Sequence, residues 1–305
     1  MKKILFAFLL TAISGVVSAK DYVIVNPNTV GSSSDITARV LAEAYHRRTG
    51  NNLIIQSVGG GNQVPAVVHF KQLSKPGIIM TTTSILVFNH KILKNLPYTN
   101  ADFDAVGPIA MSPIVWIARA NSPFYTMQDI VKILPLHPKP FVAHANHVEV
   151  VNLKMLAEKY RWSKDQVQGV KYKGVPEVIN GLMANDADVA VVTLTPTIAE
   201  LARAGQLRVL GTTVDQELNV GGHRVPSVEK FLGVEQFTGG VFLALSPGFD
   251  PVEARQLKQD LLESLKDPKV VDSLKKRDQY IMHEDGTFLN NFINNYRKKV
   301  DPLDL

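Results

Sequence analysis

The chain has 305 residues, 45% of them hydrophobic, with 33 Lys and Arg against 28 Asp and Glu and no cysteine. The missing cysteine excludes disulfides, a lipid-anchored N-terminus and a thiol nucleophile, so the fold depends on its apolar core. The formal charge of +5 comes from scattered basic residues rather than runs, which argues against a nucleic-acid partner.

Met1, Lys2 and Lys3 precede an apolar stretch from Ile4 to Val17 and the small residues Ser18 and Ala19. A charged start, an apolar centre and a small-residue cleavage point make a secretory signal peptide, 1–19, removed after Ala19. The stretch is shorter than the ~20 residues that cross a bilayer, and no later one approaches that length without a charge or proline. The expected product is a soluble chain beginning at Lys20 and retained in the periplasm. Its 286 residues (305 less 19) carry 31 basic against 28 acidic groups once Lys2 and Lys3 are gone, and are enough for two domains of moderate size.

From Tyr22 onward, β-branched runs alternate with amphipathic ones: a strand at Tyr22 to Val25, a helix from Asp35 to Arg48, a strand at Leu53 to Gln56, a helix from Val64 to Leu73 and a strand at Ile78 to Thr81. This alternation predicts an α/β fold with mostly parallel sheets flanked by helices. In the first helix Ile36, Val40, Leu41, Ala44 and Tyr45 recur at helical spacing, and Gly50 supplies the stop. Ala105 to Ala110 and Ile114 to Ala118 read as strands with no helix between them. The α/β pattern resumes after Pro123, with strands at Phe141 to Ala143, Val170 to Tyr172 and Asp188 to Val192 between helices, and Val241 to Leu245 is a strand feeding the C-terminal helices. The two irregular places are read as crossings between units, with 20–120 and 240–305 forming one lobe and 121–239 the other.

Ligands of open parallel sheets settle beyond the carboxyl ends of the strands. After the first strand, Asn26 to Asp35 offers Gly31 for a sharp turn and serine hydroxyls at the positive end of a helix, an anion cradle in which Ser34 or Asp35 also caps the helix. After the second, Ser57 to Gln63 contains three glycines but not the spacing of a nucleotide loop. After the third, Thr81, Thr82, Thr83 and Ser84 supply hydroxyls. In the second unit the corresponding loops are Ala143 to Glu149, Lys171 to Gly174 and Thr193 to Pro196. His144, His147 and Glu149 invite a metal reading, yet there is no H-E-x-x-H and no further His cluster, so a polar loop at a helix start is preferred and no metal or cofactor is expected. A hydrolase built on Ser33 and a histidine lacks a G-x-S-x-G elbow, and an enzyme is not expected.

At these loops the sequence resembles the periplasmic receptors of the tripartite tricarboxylate transporter family, the Bug receptors. Pro27, Gly31, Asp35 and Ala38-Arg39 fall on that family's first loop, Gly60-Gly61-Asn62 on its G-G-N, and Asn89, Leu96-Pro97-Tyr98 and Asp102-Phe103 on its next landmarks. Tyr172-Lys173-Gly174, Asp188-Val189 and Val225-Pro226-Ser227 follow in order, so the match spans nearly the whole mature chain. The resemblance implies a two-lobed Venus-flytrap fold that closes on a small organic acid or amino acid. It also implies delivery, as a monomer, to a membrane permease with one large and one small subunit, or alternatively docking onto a sensor histidine kinase. By position it assigns ligand contacts to Thr29, Gly31, Ser32, Ser33, Thr82, Thr83, Asn146 and His147. Where the family has a run of small donors, this chain has Ala143 to Glu149; an ionised Glu149 in the cleft would favour a ligand carrying an ammonium group.

Overall fold

The computed structural model describes residues 19–303 except 139, 164, 216, 278, 282 and 283, so the expected signal segment lies outside the described residues up to position 18. No helix among the described residues is long and apolar enough to cross a membrane.

The chain begins with strands β1 (Asp21–Asn26), β2 (Asn52–Ser57) and β3 (Ile78–Thr82). They are followed respectively by helices α1 (Ser33–Thr49) and α2 (Val64–Lys71) and, after a π-helical turn Ser84–Phe88, α3 (Asn89–Ile92). Strand β1 pairs in parallel with both β2 and β3. Strand β4 (Asp104–Ser112) leads through Pro113 into β5 (Ile114–Arg119). Helix α4 (Met127–Ile133), β6 (Phe141–His144), α5 (His147–Lys159), β7 (Gln168–Lys171), α6 (Val175–Met183), β8 (Val189–Thr193), α7 (Pro196–Arg203) and β9 (Leu207–Thr212) follow. A ribbon of β10 (Leu218–Val220) and β11 (His223–Val225), then α8 (Val228–Leu232), precede β12 (Gly239–Leu245), α9 (Pro251–Leu265), α10 (Pro268–Lys275), β13 (Tyr280–Ile281) and α11 (Gly286–Val300).

The strands form a six-stranded sheet in the order β13-β4-β12-β3-β1-β2 and a five-stranded one in the order β7-β6-β8-β5-β9. The two-residue edge strand β13 runs against β4; otherwise the strands of each sheet run one way except for a single interior strand, β12 between β3 and β4 and β5 between β8 and β9. These two strands carry the chain across from the other lobe, which is why they enter in reverse. Strand β5 was expected in the first lobe. Its apolar run Ile114 to Ala118 is fully buried, as a central strand covered on both faces must be, and it pairs along its length with β8 and β9, so the chain changes sheet at Pro113 rather than near Asn121. Helices α9 and α10 pack on α1, and α11 packs on β4, so the C-terminal segment covers the first sheet.

In α1 the buried stripe is Ser34, Thr37, Ala38, Leu41, Ala44 and Tyr45, whereas Ile36 of the expected stripe is 40% exposed. Gly50 ends the helix as expected, in the left-handed conformation with its N–H bonded to the His46 carbonyl. Between α8 and β12, Phe237 is bound on both sides of its peptide by the Asn152 side chain of α5, which accepts from its N–H at 2.6 Å and donates to its carbonyl at 2.8 Å. The Phe237 ring meets Phe88 and Tyr296 of the first lobe edge-on. Thr213 and Thr238 join hydroxyls at 3.1 Å beside the same crossing.

Candidate functional site

The loops at the carboxyl ends of β1, β2 and β3 are tied together by side chains. Thr82 donates to Gln63 Oε1 at 2.6 Å, Gln63 donates to Asn28 Oδ1 at 3.1 Å, and Asn28 donates to Ser34 Oγ at 2.8 Å. One chain of bonds thus runs through all three loops. Gly59 lets the first two loops touch: a Cβ there would stand 2.6 Å from Thr29 Cγ2 and 2.9 Å from the Thr29 amide nitrogen. The next four residues, Gly60, Gly61, Asn62 and Gln63, all have positive φ, and for Asn62 (54°) and Gln63 (69°) this is a strained state of the kind that clusters at ligand clamps.

In the first loop the helix is capped by Ser32 rather than by Ser34 or Asp35, its Oγ accepting from the Asp35 N–H at 3.3 Å. Asp35 is buried and accepts from Arg39 Nε at 2.9 Å, the Gly31 N–H at 3.0 Å and Ser57 Oγ at 2.8 Å. Arg39 most of all, then Gly31 and Ser57, hold its pKa down to about 2 against the effect of burial. The Gly31 amide and the Ser32 hydroxyl are therefore spent inside the loop. Thr29 and Ser33 are exposed, and the N–H groups of Ser33 and Ser34 open α1, whose dipole presents positive charge there.

Gly31 has φ +81°, with open space where a Cβ would stand. Gly31→Val should therefore strain the backbone without a clash, lowering stability by about 1–2 kcal/mol as read from the denaturation midpoint, while Ser33→Ala leaves that midpoint unchanged.

Among the remaining expected contacts, Thr82 lies at the cleft edge, but Thr83 is buried and accepts from the Gly240 N–H at 2.8 Å, which ties β12 to the end of β3. Asn146 is the N-cap of α5, its Oδ1 accepting from the Glu149 N–H at 3.1 Å. His147 does reach across to the first lobe, with Nδ1 2.9 Å from Asn89 Oδ1. Asn89 donates from Nδ2 to the Asn62 carbonyl and the Tyr98 hydroxyl; this fixes its amide orientation and makes His147 Nδ1 the protonated nitrogen. The π-helical turn sets this up, because the Asn89 N–H bonds back five residues to Ser84.

Glu149 is not a cleft acid. It is fully buried; Oε2 accepts from the N–H groups of Ala145 (2.6 Å) and Asn146 (3.1 Å), and Oε1 from the Thr193 N–H (2.8 Å) and hydroxyl (3.0 Å). Burial pushes its pKa up and these donors pull it back. The net direction is upward, burial outweighing the donors. With its oxygens occupied it cannot receive a ligand's ammonium group, and the expectation of a zwitterionic ligand falls with it. No group of three metal-ligating residues occurs among the described residues.

Lys171, at the end of β7, was not among the expected contacts, and its Nζ crosses the cleft to Asn62 Oδ1 at 2.8 Å. Burial first, and the charge of Lys171 second, lower the pKa of both His144 and His147 to about 4. Of nine buried side-chain polar atoms without a partner among the described residues, Asn26 Oδ1, Thr81 Oγ1, His144 Nδ1 and Thr195 Oγ1 lie at or just beyond the cleft ends of β1, β3, β6 and β8. Four polar groups without a partner thus stand where the lobes meet. An open groove of about 770 Å³ between α9 and α11 has lining charges that pair with each other, Lys258 with Asp104 and Lys266 with Glu263. It lies at the opposite edge of the first sheet, where β4 begins.

A lobe edge rich in neutral donors thus faces basic side chains on the other lobe, the arrangement of a solute-binding cleft, and the comparisons agree. A Cupriavidus necator protein described as a UPF0065 protein in the gbd 5' region is 24% identical over 261 residues, covering 82% of this chain and 76% of its own. The structure of MatC from Rhodopseudomonas palustris with bound malate superposes with a TM-score of 0.76 at 15% identity, over 93% of this chain and 98% of that one. An R. palustris protein solved with adipate gives 0.79 at 16%, over 93% and 96%. These likenesses show the two-lobed periplasmic-binding-protein fold. The family description "Tripartite tricarboxylate transporter family receptor" matches residues 37–303, and the chain belongs to that family.

Proposed function

We propose that the protein captures a small carboxylate between its lobes in the periplasm and presents it to a permease of one large and one small membrane subunit. The observation that carries this is the pairing across the cleft: neutral donors and the α1 N-terminus on one lobe, His147 and Lys171 on the other, and both nearby acids, Asp35 and Glu149, already consumed by internal partners. The malate and adipate in the two R. palustris structures support the ligand class. In this reading the leader is removed after Ala19, the receptor acts as a monomer, and the lobes hinge at Pro113 and at the crossing that contains Phe237.

Thermal denaturation in the presence of carboxylates, amino acids and sugars tests it. A ligand at a hundred times its Kd stabilises the folded state by about 2.7 kcal/mol, which raises Tm by several degrees. Carboxylates without an ammonium group should give the largest rise, and small-angle scattering should show a smaller radius of gyration at saturation as the lobes close. A rise confined to sugars or amino acids would overturn the proposal.

A further inference from the structure

Lys171 ends β7 on the cleft edge of the second sheet, in register with His144 of β6. Its ammonium group is exposed, and its one hydrogen-bond partner among the described residues is the neutral side-chain amide of Asn62, on the strained glycine loop of the other lobe. The surroundings offer no better counter-charge. Both Glu149 oxygens are filled by donors from α5 and β8, and Asp35 is bound to Arg39. The neighbouring titratable groups on the same lobe, His144 and His147, are buried imidazoles. An ammonium with no acidic partner among the described residues therefore stands on the loop that Gln63 and Asn28 tie to Ser34 in the first turn of α1, and a single monoanion would neutralise only one of these two positive poles.

A hydrogen bond from an ammonium to a carboxylate is roughly twice as strong as one to a neutral acceptor. A carboxylate entering the cleft will displace the Asn62 amide from Lys171. We propose that Lys171 is the specificity-determining cation of the cleft: it pairs with the second carboxylate of a dianionic ligand and selects dicarboxylates over monocarboxylates of the same length. This rests on the carboxylate reading above and extends it.

Calorimetric titration tests this with succinate, malate and adipate as dianions, and with butyrate and hexanoate as monoanions of matching length. The wild type should bind at least one dicarboxylate more tightly than its monoanionic counterpart. Lys171→Met should weaken that dicarboxylate about ten- to a hundredfold and the monocarboxylate less than about threefold. Lys171→Arg should restore most of the loss. Because Lys171 is exposed at a strand end, an unchanged Tm should accompany each of its variants. Equal binding of mono- and dicarboxylates by the wild type, or equal losses for both in Lys171→Met, overturns the role of Lys171 and leaves the carboxylate reading standing. A wild type that binds none of the five acids while an uncharged solute raises its Tm overturns both.

Discussion

Glu149→Ala should destabilise the second lobe by about 3–6 kcal/mol, because it leaves the buried amides of Ala145, Asn146 and Thr193 without an acceptor, each at a cost of about 1–3 kcal/mol. The whole stability of a domain is of the order of 5–15 kcal/mol, so the variant should be partly unfolded at 37 °C. Glu149→Gln should be milder but still damaging. Turned one way, its NH2 faces the N–H groups of Ala145 and Asn146; turned the other way, it faces the Thr193 N–H, and only the Thr193 hydroxyl can reverse and accept. Urea denaturation followed by circular dichroism measures both variants. A midpoint for Glu149→Ala within about 0.5 kcal/mol of wild type would show that these donors find other partners.

The second large effect is expected on acidification. The pKa values of His144 and His147 are held at about 4, from an ordinary 6.5, by burial and then by the charge of Lys171. As pH falls below 6.5, unfolded or opened forms take up protons that the closed form refuses, so the closed form loses stability until about pH 4, where both forms are protonated. For one histidine the difference of 2.5 units corresponds to an upper bound of about 3 kcal/mol, and the two effects do not simply add because the rings influence each other. His90, lowered by burial, contributes in the same direction. Asp35, at about 2, remains ionised throughout this interval and does not contribute. Tm should therefore fall steadily from pH 7 to pH 4.5, and His147→Gln, whose amide can still donate to Asn89, should flatten the slope. A Tm independent of pH over that range would place both rings in water.

The alternation of strands and helices was legible because it depends on side chains close in sequence; α1 and its Gly50 stop fell within two residues of expectation at each end. What local pattern does not contain is which sheet a strand joins. Ile114 to Ala118 reads as a buried strand in either lobe, and only its pairing with β8 and β9 decides. Strand β9 (Leu207–Thr212) went unread although Gly205, in the left-handed conformation, marks the turn before it. At the site, the first loop was found from its glycine and hydroxyls, but sequence cannot separate Ser32, which caps the helix, from Ser33, which is exposed. Nor could it place Glu149 behind the cleft or Lys171 across it, because both positions depend on residues 44 and 109 places away along the chain.

Helix α5 carries His147 at its first position and Asn152 five residues later, ~7.5 Å along the same rigid rod. The first touches Asn89 across the cleft and the second grips the peptide of Phe237 in the returning crossing. Under the proposed function, the solute contact and the pivot of the lobes would be two ends of one lever. A tilt of the rod that tightens one end would displace the other, so on this proposal an occupied cleft would act directly on the connecting strand. Softening the pivot, for example by replacing Asn152, would register as a change in apparent affinity even though no group in the cleft had been altered.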